Sequence, residues 1–182
     1  MSTHARQAFA AVRGVAYAAG FVALWTWLAV LVRRYDADLP VALPSLRWPG
    51  IVLACIGAVI AASCIAVFAS RGEGTPAPFD APRKFVATGP YRYVRNPMYI
   101  GAIFLLIGAG LVVGSTSIVL LGFAFWALMH VFVLVYEEPT LTAQFGESYA
   151  QYRSEVNRWL PQPFRGRSRE LDRDREGLDS SD

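Results

Sequence analysis

Four long apolar segments constrain this chain more than any other feature of its sequence. They run from Val15 to Val32, Ile51 to Ala69, Met98 to Val113, and Ile118 to Tyr136. A helix of about 20 apolar residues crosses the hydrocarbon layer of a bilayer, and each segment is near that length. We therefore predict an all-α fold, an integral membrane bundle of about four transmembrane helices.

The composition supports one membrane domain followed by a polar tail. Of 182 residues, 54% are hydrophobic and 17% are charged, a balance unlike that of soluble domains. We expect a single domain over residues 1–164, with its motifs in residues 72–161. Residues 165–182 combine five arginines with six acids and should form a disordered tail. No nucleic-acid-binding motif occurs, so nucleic acid is not expected as a partner.

Basic residues are distributed unevenly among the connections between these segments. With four spans, one side of the membrane carries 14 Lys and Arg residues and the other carries 3. The positive-inside rule then places both termini and the loop before Met98 in the cytoplasm. We expect the membrane to be a cytoplasmic membrane of the bacterial type, with the turn at residues 114–117 on its other side.

The polar stretch Gly89–Gly101 precedes the third segment and is the first candidate for a ligand site. The pair Asn96-Pro97 is typical of a helix start, because an asparagine side chain can accept from a first-turn N–H and proline fits the first position. The N-terminus of that helix, at about Met98, would attract an anionic group. An ordinary interfacial anchor is the alternative. The surrounding side chains are those of Tyr91, Arg92, Tyr93 and Arg95.

Glu137 and Glu138 follow the fourth segment, where we expect a helix C-terminus. The helix dipole disfavours carboxylates there, so a cationic ligand or the side chains of Arg92 and Arg95 should compensate them. The alternative is that both acids reach water. Because the pair would be unfavourable in the empty helix, we expect Glu138→Gln to leave thermal stability unchanged or slightly raised.

Three further patterns complete the prediction. His130 precedes Glu137 by about two helical turns, and we expect it to support the site without forming a metal centre. Small residues spaced by four should allow close helix packing; they are Ala54, Ala58, Ala62 and Ala66, together with Gly110 and Gly114. Pro139 to Gly146 and Glu147 to Asn157 should form an amphipathic cytoplasmic cap, the second helix burying Tyr149, Tyr152 and Val156.

These motifs, taken together and in order, resemble those of the isoprenylcysteine carboxyl methyltransferase family and its phospholipid methyltransferase relatives. The resemblance covers about residues 72–161. It rests on the stretch Gly89–Gly101, on Glu137-Glu138 with Leu141, and on Phe145-Gly146-Glu147-Ser148-Tyr149 with Tyr152 and Val156.

The resemblance implies an enzyme that transfers a methyl group from S-adenosylmethionine to a lipophilic acceptor entering from the bilayer. It implies catalytic roles for Glu138 and Arg153 and no metal. The cofactor-binding residues that it implies are Gly89, Pro90, Tyr91, Arg92, Arg95, Asn96, Tyr99, Glu137 and Glu138.

The acceptor stays open at this point. The eukaryotic prenylcysteine enzymes have Arg-His-Pro where this chain has Arg95-Asn96-Pro97, and asparagine cannot titrate as histidine does. A prenylcysteine carboxylate, an amine-headed lipid and a small thiol are the alternatives. Sterol-type reductases that use NADPH share related motifs, but they typically have Arg-Asp in place of Glu137-Glu138. A scaffold without activity would not explain the clustered charges.

Overall fold

A computed structural model describes residues 3–71 and 87–161, and in these ranges every regular element is helical. The helices are α1 (Thr3–Arg33), α2 (Arg47–Arg71), α3 (Pro97–Val113), α4 (Thr116–Phe132), α5 (Glu138–Phe145) and α6 (Glu147–Glu155). Short 3₁₀ turns occupy Asp36–Asp38 and Gly89–Arg92, and a π-helical turn occupies Val133–Glu137.

The four predicted apolar segments lie in α1 to α3 and in α4 with the π turn that follows it, which confirms the predicted integral membrane bundle of α-helices. Residues 47–67 and 116–145 are long and apolar enough to span a bilayer, and 19–33 and 97–113 are shorter apolar helices. α5 and α6 form the predicted cap. Residues 165–182, predicted to be a tail, lie outside the described residues.

The closest helix contact joins α2 and α3 through glycines. A Cβ atom added to Gly57 would lie 2.6 Å from the carbonyl oxygen of Gly101, and one added to Gly50 would lie 2.7 Å from that of Gly108. Ala54 also contacts Gly108. Backbones this close leave no room for larger side chains, as in other membrane helix pairs.

The predicted alanine stripe is therefore wrong except at Ala54. Ala58, Ala62 and Ala66 are exposed on the bundle surface. The contacting face runs through Gly50, Ala54, Gly57 and Ala61, so the spacing alternates between four and three residues. This is the 3.6-residue period of a helix face, whereas a strict four-residue repeat drifts around the helix.

A tight turn joins α3 to α4, as the sequence predicts. Gly114 ends α3 in the left-handed conformation, with φ of 64°. The hydroxyl of Ser115 accepts a hydrogen bond of 3.2 Å from the backbone N–H of Ile118, which caps α4. Gly110 packs against this start of α4, since an added Cβ would lie 2.9 Å from the nitrogen of Val119.

The connection between α1 and α2 is fastened over that turn. Asp36 accepts a hydrogen bond of 2.8 Å from the backbone N–H of Ser117 through Oδ1. The hydroxyl of Thr116 donates to the carbonyl of Val41 at 2.8 Å and accepts from the N–H of Leu43 at 3.2 Å. These bonds join the connection to the start of α4 at this end of the bundle. The charged residues of the sequence motifs lie at the other end.

Aromatic packing holds α1 against α4. Phe125 of α4 is completely buried, and its ring centroid lies 4.5 Å from that of Trp25 and 5.7 Å from that of Phe21.

In α2, Cys64 is buried and Cys55 is exposed, and both are free thiols. The cysteines therefore form no bridge, in agreement with their separation along one helix.

Candidate functional site

The glutamate pair lies within a continuous helical run, which corrects the prediction of a helix C-terminus. The backbone stays helical from α4 through the π turn into α5, and Glu138 is the first residue of α5. Pro139 lacks the N–H that would bond to the carbonyl of Val135, and its ring crowds that carbonyl. A π turn, with its extra residue, accommodates the proline and changes the direction in which the two glutamates point.

Glu138 is buried, with 6% of its surface exposed, and is bound by two arginines. Arg95 donates from Nη1 to Oε1 at 2.9 Å. Arg158 donates from Nε to Oε1 at 2.8 Å and from Nη2 to Oε2 at 3.0 Å. The hydrogen bond to Glu138 raises the pKa of Arg158, which keeps the guanidinium charged. Such a two-point arginine–carboxylate pair fixes the carboxylate as well as its charge.

Arg158 was missed by the sequence analysis, which considered Arg92 and Arg95 as the compensating cations. The side chain of Arg92 is exposed, and Arg95 alone of those two pairs with Glu138. One sequence signal was available, because Arg158 lies two residues after Val156, which the sequence predicts to pack against the bundle and which is buried at the end of α6.

The backbone of this segment is bound to the start of α3. The N–H of Arg95 donates to the carbonyl of Asn157 at 2.9 Å. Asn96 is buried, and its Nδ2 donates to the carbonyl of Arg158 at 3.3 Å. The asparagine side chain makes no capping hydrogen bond to α3, so the predicted capping role is wrong. Asn96 binds the segment after α6 instead.

Glu137 has a different environment from its neighbour. The hydroxyl of Tyr99 donates to Oε2 of Glu137 at 2.9 Å. Among the side chains that the structure describes, no lysine or arginine forms an ion pair with this carboxylate. The two adjacent carboxylates therefore have different partners. Glu138 forms ion pairs with two guanidinium groups, whereas Glu137 accepts a hydrogen bond from a phenol.

The turn Gly89–Arg92 contacts α6. The hydroxyl of Tyr152 donates to the carbonyl of Tyr91 at 2.6 Å. Burial raises the pKa of both phenols, which are therefore neutral at physiological pH. Arg92 lines an open cavity of about 210 Å³ together with Ser148, Gln151, Tyr152 and Glu155.

His130 does not pair with Glu137, although the sequence places them two turns apart. The π turn between them changes the helical register. Nδ1 of His130 instead accepts a hydrogen bond of 3.0 Å from Nε1 of Trp159. Its ring also stacks on Trp126, with centroids 5.8 Å apart. His130 therefore binds the residue next to Arg158.

The structure brings some of the predicted site residues together near the two glutamates. Arg95, Asn96 and Tyr99 surround Glu137 and Glu138, whereas Gly89 to Arg92 form a neighbouring turn. Arg153 is exposed on α6 and forms no ion pair with Glu138. In the described ranges, no cluster of three or more His, Cys, Asp or Glu side chains could hold a metal ion.

Comparison with known proteins identifies relatives of this chain. The chain is 34% identical over 77 residues to protein-S-isoprenylcysteine O-methyltransferase of Schizosaccharomyces pombe, which covers 42% of this chain and 32% of that protein. The chain thus spans about a third of the length of this curated relative.

The fold resembles that of a eukaryotic intramembrane Ras methyltransferase, an isoprenylcysteine carboxyl methyltransferase. The TM-score is 0.59 at 19% identity, over 78% of this chain and 52% of that one. Residues 46–148, more than half of the chain, match the family described as phospholipid methyltransferase. This range contains the stretch Gly89–Gly101 and the glutamate pair. The chain therefore belongs to the phospholipid methyltransferase family.

Proposed function

We propose that this protein is a membrane-embedded methyltransferase that moves a methyl group from S-adenosylmethionine to a lipophilic acceptor. Membership of the family and the helical membrane fold support a methyl-transferring enzyme. The charged cluster at the N-terminal end of α3 supports S-adenosylmethionine as the methyl donor. This cluster offers positively and negatively charged groups in a partly buried site.

The observation that carries this proposal is the difference between Glu137 and Glu138. Two guanidinium groups already neutralise Glu138. Glu137 is partly buried and meets the hydroxyl of Tyr99. A carboxylate removed from water without a cationic partner is unfavourable, so a cationic group on a ligand would be bound favourably beside Glu137.

S-adenosylmethionine fits the groups that are left without partners. It carries a sulfonium and an ammonium group, which match Glu137, and a carboxylate, which matches an arginine. Nε of Arg95 is buried and has no hydrogen-bond partner within residues 3–71 and 87–161. Arg95 would thus offer a donor to the carboxylate while Nη1 stays on Glu138. When bound, the cofactor supplies an electrophilic methyl group.

The protein would then have two tasks, which are to position the two reactants and to balance the charges of the cofactor. Tyr99 holds one oxygen of the Glu137 carboxylate and leaves the other for the ligand. A bound donor of this kind would supply a methyl group and leave as a neutral thioether, so Glu137 and Arg95 would hold its charged groups while the acceptor is aligned with the methyl carbon. Alignment of the two reactants supplies much of the rate in such a displacement, and no covalent enzyme intermediate is needed.

The acceptor would reach the site from the bilayer, at the cytoplasmic side of a bacterial-type membrane with both termini inside. An isoprenylcysteine carboxylate is the first candidate, because the relative from Schizosaccharomyces pombe carries that name. An amine-headed phospholipid follows from the family description, and a small apolar thiol is the third. Catalytic roles for Glu138 and Arg153 are part of this proposal, with Glu138 acting through its arginines.

Incubation of the purified protein with labelled S-adenosylmethionine tests the proposal. Membrane lipid extract, a farnesylcysteine derivative and an alkyl thiol are supplied in separate reactions. We expect label to enter one of these acceptors in proportion to the amount of protein. Saturable NADPH binding without any response to S-adenosylmethionine would instead assign the chain to the reductase alternative.

A further inference from the structure

The segment Asn157–Trp159, which follows α6 and which we call the latch, joins three helices at the end of the bundle that carries the glutamates. Its backbone accepts hydrogen bonds from Arg95 and Asn96, at the start of α3. Its side chains bind Glu138 of α5 and His130 of α4. Every residue of the latch thus makes a hydrogen bond across the bundle.

Arg158 is held on both sides. Its own carbonyl accepts from Nδ2 of the buried Asn96, and the next residue, Trp159, donates to His130 at 3.0 Å. The indole ring also packs near Trp126, with centroids 6.4 Å apart. A guanidinium on a flexible side chain loses less freedom when its backbone is already fixed, so these contacts prepare Arg158 for its two-point pair.

The ion pair of Arg158 with Glu138 also affects the orientation of the Arg95 side chain. Nε of Arg158 and Nη1 of Arg95 donate to the same oxygen, Oε1 of Glu138, at 2.8 and 2.9 Å. Because Arg158 binds both carboxylate oxygens, it determines the plane of the carboxylate and hence the direction from which Arg95 can approach. Without Arg158, only the hydrogen bond from Arg95 to Oε1 would hold this carboxylate, and one bond does not fix the plane of the group.

We propose that Arg158 and Trp159 are positioning residues: through Glu138 they set the orientation of Arg95 in the ligand site. The inference rests on the proposed function, since it treats Arg95 as a ligand-binding group. It assigns a role to a part of the chain beyond residues 46–148, the range that matches the family.

The latch has an anchor that is independent of these polar contacts. Val156 has 3% of its surface exposed, and Tyr149 of α6 has 2%. The burial of these two side chains should keep the cap folded on the bundle when a single hydrogen bond of the latch is removed. Conservative changes in the latch can therefore alter the site without loss of the fold.

Arg158→Lys and Trp159→Phe test the proposal through methyl transfer and S-adenosylmethionine binding. Lysine keeps the charge but not the two-point geometry, and phenylalanine keeps the ring but not the N–H. Either change should lower the affinity for S-adenosylmethionine or kcat by about tenfold. This is the effect expected from the loss of one charge-assisted or buried hydrogen bond. Arg47→Lys and Trp48→Phe, at exposed positions near the start of α2, serve as matched controls and should behave as the natural protein. Equal activity of all four variants would overturn the positioning role.

A second measurement does not depend on any ligand. Thermal unfolding is recorded for Trp159→Phe, Glu138→Gln and the double variant. If the indole positions Arg158 on Glu138, the two shifts in midpoint should not add, because either change removes part of the same contact. Additive shifts would overturn the proposed positioning role of the latch even if the enzyme is active. Non-additive shifts in a protein that neither binds S-adenosylmethionine nor transfers methyl groups would overturn the proposed function, and the positioning role with it.

Discussion

Glu138 and Arg158 form a two-point ion pair, with Nε 2.8 Å from Oε1 and Nη2 3.0 Å from Oε2. The pair joins the first residue of α5 to a segment 20 residues later, after α6. It makes Glu138 part of the structure of the cap. The neighbouring Glu137, bound by a phenol, is left as the acid with unbalanced charge.

Glu138→Gln should destabilise the protein. The change leaves two guanidinium groups facing a neutral amide, and the loss of a charge-assisted hydrogen bond costs about 1.5–3 kcal/mol. We expect a lower midpoint of thermal unfolding in detergent, with Glu147→Gln, an exposed acid of α6, as the control. An unchanged or raised midpoint would restore the expectation drawn from the sequence, in which the pair is unfavourable at a helix end.

Glu137→Gln should reduce ligand affinity with little effect on stability. Its carboxylate makes no ion pair with the described residues, so a neutral amide can keep the hydrogen bond from Tyr99. Loss of a charge-assisted contact to a cationic ligand corresponds to roughly a tenfold to hundredfold weaker binding of S-adenosylmethionine by calorimetry. Tyr99→Phe should weaken it less. Unchanged affinity in Glu137→Gln would remove this residue from the site.

Stability should decline at alkaline pH because of the buried phenols. Burial raises the pKa of Tyr152 and of Tyr149 above the ordinary value of 10.0. Above about pH 10 the unfolded chain loses these protons while the folded chain keeps them, so the free energy of unfolding falls as pH rises. Their contribution is complete below that pH.

Melting curves between about pH 8 and pH 11 would measure this decline. Tyr152→Phe should flatten it in part, although the variant loses the hydrogen bond to Tyr91 and starts from a lower midpoint. Tyr93→Phe, at a position with 56% of its surface exposed, is the control. An equal slope for Tyr152→Phe and the natural protein would refute the assignment to Tyr152.

The orientation in the membrane can be tested by cysteine labelling. The distribution of 14 and 3 basic residues predicts that α6 is cytoplasmic and that the turn Asp36–Asp38 faces the other side. In a Cys55→Ala background, an impermeant reagent should label Ala37→Cys in intact cells. It should label Ala150→Cys only after permeabilisation. Labelling in the reverse pattern would invert the topology.

The sequence predicted those features that depend on local patterns. Segment lengths and hydrophobicity identified the four membrane helices, and Gly114 and Gly146 mark turns where helices end with positive φ. Arg95 meets Glu138 and Tyr99 meets Glu137 because the two polar stretches that carry them lie at the same end of the bundle. Such features follow from hydropathy and from backbone preference, which act over a few residues.

The rest depends on contacts between distant residues. The partner of Glu138 is 20 residues away, and the partner of Trp159 is 29 residues away. The π turn before Pro139 changes which side of the helix each glutamate faces, and no periodicity in the sequence shows it. Asn96 was predicted to cap a helix because that is its common local role, but a carbonyl of the latch competes for the same side chain.

A substitution at the interface of α2 and α3 would distinguish the predicted small-residue stripe from the observed one. A Cβ on Gly57 would lie 2.6 Å from the carbonyl oxygen of Gly101, so Gly57→Val must push the two backbones apart. Overpacking of this kind costs about 1–3 kcal/mol. Ala58→Val places the same side chain on the exposed face of α2, next in sequence, and should leave the midpoint of unfolding near that of the natural protein. Because α3 begins at Pro97, one residue after Asn96, a shift of this helix should also weaken S-adenosylmethionine binding in Gly57→Val and not in Ala58→Val. If Ala58→Val proved the more harmful of the two, α2 would contact α3 through the face that contains Ala62 and Ala66.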